Sequence, residues 1–270
     1  MSQAPRRRLV SAALASAALP NKVAFGVRGL VNGLWLGVLN DRDLELLDET
    51  YYSRAAMYRG DEWNTQGLFG WERQLVDAHF KQQSRVAVLA AGGGREVLAL
   101  RDLGYDAVGY EPHPELVSVA CDLLARHGYP PSVEQVERDV VPAGMGVFDA
   151  IILGWGALSL VQGRSRRARL LAQLATHVAP GGPVLVSFFH RAADYRELKL
   201  TAMVANGIRS ALRRERIDAG DTLSPNLVHV FTRDELAADA AGAGLTVAAF
   251  HVTGVAEVHV DNAAAVLVSV

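Results

Sequence analysis

The sequence predicts an α/β protein: a doubly wound, seven-stranded sheet with helices on both faces, a helical cover before it and a helical insertion after the fifth strand. Three observations predict it. Residues 86–100 read VAVLAAGGGREVLAL, a buried strand that breaks through Gly92, Gly93 and Gly94 straight into a helix. A second strand, AVGYEP, then ends in Glu111. From Ser84 onward, strand-like and helix-like runs alternate, as parallel strands joined by crossover helices do. A turn without side chains at a helix N-terminus lets a ligand lie against bare backbone. An acid about twenty residues further on, at the end of the second strand, can hold the two hydroxyls of a ribose.

Size and composition agree with one large α/β domain carrying an appendage. The chain has 270 residues, half of them hydrophobic, so it can bury a substantial core. Its net charge of −2 gives no electrostatic reason to expect nucleic-acid binding. The single cysteine, Cys121, rules out an internal disulfide and a cysteine-rich zinc site, and it fits a reducing compartment. Within the helical pattern VSVACDLLARHG it reads as a small core residue. At the N-terminus, Arg6, Arg7 and Arg8 precede LVSAALASAAL, which is similar to a short signal peptide. It is too short and too rich in alanine to span a membrane, and the preferred reading is a helix capping the domain.

Residues 1–80 show no strand pattern and read as a helical cover or lid. VAFGVRGLVNGLWLGVLN has apolar residues at helical spacing despite its glycines. DRDLELLDETYYSRAAMYRG reads as a second helix, DEWNTQGLFG as a polar and aromatic loop, and WERQLVDAHF as a third helix. Residues 81–270 form the expected main domain. Its strands are Arg85–Ala90, Asp106–Tyr110, Val133–Arg138, Phe148–Gly154, Pro183–Phe188, Leu245–Val252 and Ala263–Val270. Helices fall at Arg95–Leu103, Pro114–His127, Arg164–His177 and Arg233–Ala241, with Thr232 as N-cap of the last. Residues 189–231 make a substrate-side insertion: a charged helix at Ala193–Arg216, then the loop DAGDTLSPNLVHV. It lies beyond the carboxyl edge of the sheet, where open α/β sheets bind ligands.

Further order follows downstream. Asp139 comes after strand three in VERDVV, FDAIILGWG forms strand four, and HVAPGGPVLVSF turns through Pro-Gly-Gly into strand five. From about Tyr51 to Val270 this series resembles the class I S-adenosylmethionine-dependent methyltransferases, whose sheet is Rossmann-like. The resemblance implies S-adenosylmethionine as cofactor, with its methionine part over Ala91, Gly92, Gly93 and Gly94. It implies ribose on Glu111 beside Pro112, the adenine amino group on Asp139 with Val140 beside the ring, and the sulfonium passing Gly154, Trp155 and Gly156. Pro180, Gly181 and Gly182 match a structural turn, and the last two strands match the family's antiparallel hairpin. The chain departs from the family twice. Val88 stands where an acid usually anchors the cofactor's ammonium, and Ala90 stands for the first glycine. Ala90 should still permit a tight turn if its φ is negative, and Glu96 or the hydroxyls of Tyr51, Tyr52 and Tyr58 are candidates for the missing anchor.

Methyl transfer requires exclusion of water, alignment and sometimes removal of a proton. Strand four ends in Gly-Trp-Gly and not in the Asn/Asp-Pro-Pro-Tyr of enzymes that methylate nucleobase or glutamine amines. His190, directly after strand five in SFFHR, is the best general-base candidate and a substrate contact. His229 is the second candidate, and His251 and His259 read as structural. No spacing argues for a metal. Trp155, Trp63 and Phe69 read as cleft walls, since aromatic faces suit a sulfonium and a flat substrate. Asn64 is placed to meet cofactor or substrate. Arg164, Arg166, Arg167 and Arg169 read as a solvated helix face.

The expected activity is transfer of a methyl group to a small organic molecule, first an oxygen of a specialised metabolite. The expected setting is cytoplasmic, without nucleic acid or an integral membrane segment, and with a homodimer possible. A nicotinamide-dependent oxidoreductase on a similar sheet is one rival, opposed by the terminal hairpin and the absence of a Tyr-x-x-x-Lys set. A non-catalytic binding or scaffolding protein of the same fold is the other.

Overall fold

The computed structural model describes residues 23–142, 144–193, 195–257 and 260–269. The Arg6–Arg8 segment with LVSAALASAAL, His259 and Val270 lie outside the described residues. Helix α1 covers Val23–Val38. There follow α2 (Asp41–Arg54), a 3-10 turn (Ala56–Arg59), α3 (Asp61–Asn64) and α4 (Gly70–His79). The alternating part runs β1 (Arg85–Leu89), α5 (Arg95–Asp102), β2 (Asp106–Glu111), α6 (Pro114–Arg126), β3 (Val133–Gln135), β4 (Ala150–Leu153), α7 (Ala157–Leu160), α8 (Arg164–His177) and β5 (Val184–His190). Then come α9 (Arg196–Ala211), β6 (Asp221–Leu223), β7 (Leu227–Phe231), α10 (Arg233–Gly242), β8 (Leu245–Glu257) and β9 (Val260–Ser269). The chain divides into two compact units. One holds Met1–Asn40 and Asp194–Leu223; the other holds Asp41–Ala193 and Ser224–Val270.

In the larger unit the seven expected strands lie in the order β3-β2-β1-β4-β5-β9-β8, parallel through β5 and antiparallel in the closing hairpin. Alternating side chains feed two separate cores, which is what a doubly wound sheet requires. Ala87, Leu89, Ile151, Leu153 and Val184 pack with Leu158, Leu171, Leu174 and Leu236 from α7, α8 and α10. Val86, Val88, Ile152 and Leu185 pack with Leu75, Val97, Leu98 and Leu123 from α4, α5 and α6 on the other face. α10 begins at Thr232, whose hydroxyl accepts from the Glu235 amide at 3.1 Å while Glu235 Oε2 accepts from the Thr232 amide at 2.7 Å.

The expectation for 189–231 needs correction. The helix is there, as α9, but the segment read as a loop contributes two strands. β7 pairs parallel with the last two residues of β5, Phe189↔Val230 and His190↔Phe231. Along its whole length β5 gives its other edge to β9, and β4 pairs only as far as Val186. β7 therefore takes the edge of β5 left vacant where β4 ends. All five of its residues are buried, so LVHVF shows no period-two alternation, and the Ser-Pro-Asn before it suggests a turn. Strand three is also shorter than expected: it stops at Gln135, and the chain swings away to Asp139 in a left-handed conformation, φ +56°.

In the smaller unit, α1 lies parallel to α9. A Cβ on Gly29, Gly33 or Gly37 would meet Glu197 O at 2.9 Å, Val204 Cβ at 2.8 Å or Ile208 Cβ at 2.8 Å. The glycines that count against a helix by propensity form the seam along which α9 approaches. Arg209, buried, closes the far end by donating to Leu36 O at 3.0 Å and Leu39 O at 3.1 Å. Asn32 donates to Thr222 Oγ1 at 2.8 Å. Among the described residues no single helix is long and apolar enough to cross a membrane.

Candidate cofactor site

Strand register brings the ends of β1, β2 and β4 level: Leu89 pairs with Tyr110 on one side and Leu153 on the other. Beyond them the Ala91 amide donates to Tyr110 O at 3.1 Å and the Gly154 amide to Leu89 O at 2.8 Å. At this carboxyl edge lies a cleft in the larger unit, about 960 Å³ of atom-free space with its open mouth included. Ala91, Gly92, Gly93, Glu111, Pro112, Asp139, Val140, Trp155, Trp63 and Asn64 all line it, together with Glu96, Tyr52 and Tyr58. Of the proposed contacts, Gly94 and Gly154 serve from behind: Gly94 is the left-handed N-cap of α5 (φ +94°), and Gly154 carries the β4 end past Leu89.

Glu111 is only 3% exposed. Its Oε2 accepts from the Gly92 amide at 2.8 Å and its Oε1 from the His113 amide at 3.0 Å. Burial pushes its carboxyl up to about 7, against the pull of these two amides. Burial also raises Asp139 and lowers His113. Each carboxylate oxygen of Glu111 keeps a lone pair for a further donor.

Ala90 makes its turn without meeting the condition of a negative φ. Its φ is +52°, not negative. The turn after β1 demands the left-handed region, so the alanine carries the strain that the family's glycine avoids. Gly93, by contrast, has no alternative. A Cβ there would fall 2.2 Å from Tyr58 O and 2.5 Å from Asn64 Nδ2. The 3-10 turn and α3 thus close directly onto the glycine turn.

Asn64 is 1% exposed and its amide is oriented by two carbonyls, since Nδ2 donates to Tyr58 O at 2.9 Å and Gly60 O at 3.0 Å. Its Oδ1 is left buried with no partner. A buried acceptor without a donor is costly, and the missing partner must be a hydrogen-bond donor. Near it, Arg95 is gripped by two carboxylates: Glu72 at 2.6 and 2.7 Å and Glu96 at 2.6 Å. Its guanidinium also lies 4.0 Å over the Phe69 ring. Neither the sequence pattern nor helix spacing announced Glu72, which reaches Arg95 from α4 while capping that helix at the Phe69 amide.

Aromatic side chains run along the wall. Ring centroids are 5.1 Å apart for Tyr52 and His113, 5.3 Å for Tyr52 and Tyr58, 5.8 Å for Tyr58 and Trp63, and 5.7 Å for Trp63 and Trp155. Burial raises the Tyr52 phenol well above its ordinary value and pushes Tyr58 up to about 12, so both stay protonated donors at neutral pH. Tyr51 packs edge-on against Tyr52 and does not line the cleft. Asp48 of α2, also unannounced by the sequence, joins four elements. It takes a hydrogen bond from Arg138 beside Asp139, one from Asn226 Nδ2 at 2.5 Å, and lies 3.8 Å from His113 Nε2.

The two histidine candidates are not brought to this cleft. His190 is buried with Nδ1 3.1 Å from Phe231 O and its ring edge-on to Phe250 at 5.3 Å. His229 packs edge-on against Phe231 at 4.5 Å. β7 is the reason: it occupies the β5 edge where both were expected to meet a substrate. The basic run is likewise not one solvated face. Arg167 is buried, its guanidinium 5.3 Å over the Phe231 ring and donating to Val161 O at 3.3 Å, and Arg164 binds Asp239 at 2.8 Å.

No family model and no curated protein matches the chain. Solved structures do. One is a S-adenosylmethionine-dependent methyltransferase from Methanosarcina mazei, with TM-score 0.58 and 14% identity over 76% of this chain and 99% of that one. Another is the 1,6-didemethyltoxoflavin-N1-methyltransferase of Burkholderia thailandensis with bound 1,6-didemethyltoxoflavin and S-adenosylhomocysteine; its TM-score is 0.58 and its identity 15%, over 85% and 90%. The [4+2]-cyclase SpnF is similar too, with TM-score 0.54 and 14% identity over 74% and 79%. At such identities the likeness is one of fold. The chain has the class I S-adenosylmethionine-dependent methyltransferase fold.

Proposed function

We propose that the cleft binds S-adenosylmethionine and that the protein transfers its methyl group to a small organic molecule. The observation that carries this is the convergence of Glu111, Asp139, Val140, Gly92, Gly93 and Trp155 on one cleft at the sheet's carboxyl edge. They come from the ends of four neighbouring strands, β1 to β4, and together they suit one ligand: ribose hydroxyls donating to Glu111, adenine between Asp139 and Val140, and the sulfonium among Trp155, Trp63 and Tyr58. The methionine ammonium supplies the donor that Asn64 Oδ1 lacks, with Glu96 as the charge that Val88 cannot provide. Bound there, the cofactor supplies a methyl carbon already activated by positive sulfur. The chain's own part is to orient it, exclude water and present the acceptor.

The acceptor is the finer question. With His190 and His229 packed elsewhere, and Tyr52 and Tyr58 held protonated, the cleft suits a nucleophile that needs little help from a protein base. An amine or ring nitrogen, or an already acidic hydroxyl, meets that condition better than an alcohol does. Residues 41–64 and β7 would wall the acceptor side, and an intracellular cofactor would place the protein in the cytoplasm. The fold likeness to a cyclase supports a second reading, in which the cofactor is bound but no methyl group moves.

Calorimetry with S-adenosylmethionine, S-adenosylhomocysteine and NAD separates these readings from the oxidoreductase. The expected result is binding of the first two, and loss of both in Glu111→Ala. Equal affinity of Glu111→Ala and the parent protein overturns the assignment. Mass spectrometry of reactions with panels of amines, heterocycles and phenols then reads the acceptor class from a gain of one methyl group.

A further inference from the structure

The smaller unit carries a surface that the cleft does not explain. On α1 seven large apolar side chains are exposed and recur with helical period: Val23, Val27, Leu30, Val31, Leu34, Trp35 and Val38, each between 45% and 57% exposed. The opposite side of α1 is used up by the glycine seam to α9 and by Asn32 and Leu36. A continuous apolar stripe of this kind is unusual on a protein surface and marks an interaction site.

Its surroundings say what the partner is. The seam and the buried residues of the two parallel helices (Asn32 and Leu36, Ala205 and Arg209) define the inner side of the pair. Arg196 and Met203 of α9, both exposed, therefore face out on the same side as the stripe. Arg213 and Arg216 follow, also exposed. The described residues of this unit include seven lysines and arginines against four acids, a surplus of three positive charges, whereas the whole chain carries 27 against 29. Basic charge is thus concentrated in the unit that bears the apolar stripe.

We propose that this face docks on an anionic lipid surface, as a peripheral contact that does not span the bilayer. The apolar stripe enters the boundary between headgroups and acyl chains, Trp35 sits at headgroup level, and the flanking arginines meet anionic headgroups. A symmetric pairing of two copies through the same stripe is disfavoured by its charge, because it would bring two units of surplus three together.

The test is sedimentation of the full chain with vesicles of phosphatidylcholine alone and of phosphatidylcholine with three-tenths phosphatidylglycerol. The chain should pellet with the anionic vesicles, far less with the neutral ones, and less as salt rises. Arg196→Gln, Arg213→Gln and Arg216→Gln should each weaken binding about fivefold. The double variant Leu34→Asn with Trp35→Asn should abolish it while keeping the parent's thermal melt, and in the parent Trp35 emission should shift to the blue on binding. A chain that stays in the supernatant with both vesicles overturns the proposal. So does a stripe variant that binds like the parent, or a dimer in solution that the stripe variant dissociates, which would assign the face to a second copy.

Discussion

The Gly92 amide donates to Glu111 Oε2 at 2.8 Å, tying the turn after the first strand to the acid that ends the second. Glu111 is thereby held in place before any ligand arrives, at the cost of a carboxyl that burial lifts to about 7.

Its protonation should therefore govern ligand affinity. Ribose hydroxyls donate best to the ionised carboxylate, so binding of S-adenosylhomocysteine should tighten as pH rises from 6 to 8, by about tenfold if only the ionised form binds. Burial lowers His113 from its ordinary value, away from the upper part of that window. Glu111→Gln should bind more weakly with a flat profile, and a parent profile that is flat as well would contradict the assignment. For folding the sign is opposite: a raised acid favours the folded state below its unfolded value, and that contribution is lost as pH rises through about 7. Thermal melts of Glu111→Gln should lose this part of the pH dependence.

Ala90 gives a stability prediction. Its left-handed φ of +52° strains an alanine but not a glycine. Ala90→Gly should relieve that strain, less the entropy a glycine adds to the unfolded chain, for a net gain of about 0.5–1 kcal/mol. Chemical denaturation with an unchanged m-value would register it, and a loss of stability would mean that the backbone strain is compensated elsewhere.

The same position shows where sequence reading stops. Strand and helix order, the glycine turn and Glu111 were legible because each depends on local periodicity or on short spacing, whereas Asp139 followed only from the family resemblance. The sign of φ at Ala90 was not legible, since it is imposed by where Tyr110 of β2 and Gly154, just beyond β4, lie. β7 was hidden because complete burial removes alternation from LVHVF, and with it went the true surroundings of His190 and His229. Asp48 and Glu72 looked like ordinary acids of amphipathic helices, and only the fold sets them against Arg138 and Arg95.

Asp48 should matter out of proportion to its sequence context. It is buried, and removing it leaves Arg138 without its carboxylate and Asn226 without its acceptor. Asp48→Ala should cost about 3–5 kcal/mol, as loss of one partner of a buried ion pair does. Asp48→Asn keeps the shape and the acceptor for Asn226 and should lose less. Denaturation curves rank the three proteins; an Asp48→Ala protein as stable as the parent would show that water replaces the carboxylate.

The orphaned Oδ1 of Asn64 supplies the sharpest test of how the cofactor's amino-acid end is held. If it accepts from the methionine ammonium, its loss should weaken only ligands that carry that group. Asn64→Leu should bind S-adenosylhomocysteine about tenfold or more weakly, the scale of one hydrogen bond to a charged group. 5′-Methylthioadenosine, which has the adenosine and sulfur but no amino acid, should bind within about twofold of the parent on the same reasoning. Parallel losses for both ligands would mean that the substitution loosened α3, through the bonds to Tyr58 O and Gly60 O, instead of removing an anchor. Glu96→Gln, beside it on Arg95, should show the same selectivity for the ammonium, because both groups would answer the same positive charge that Val88 leaves unmet.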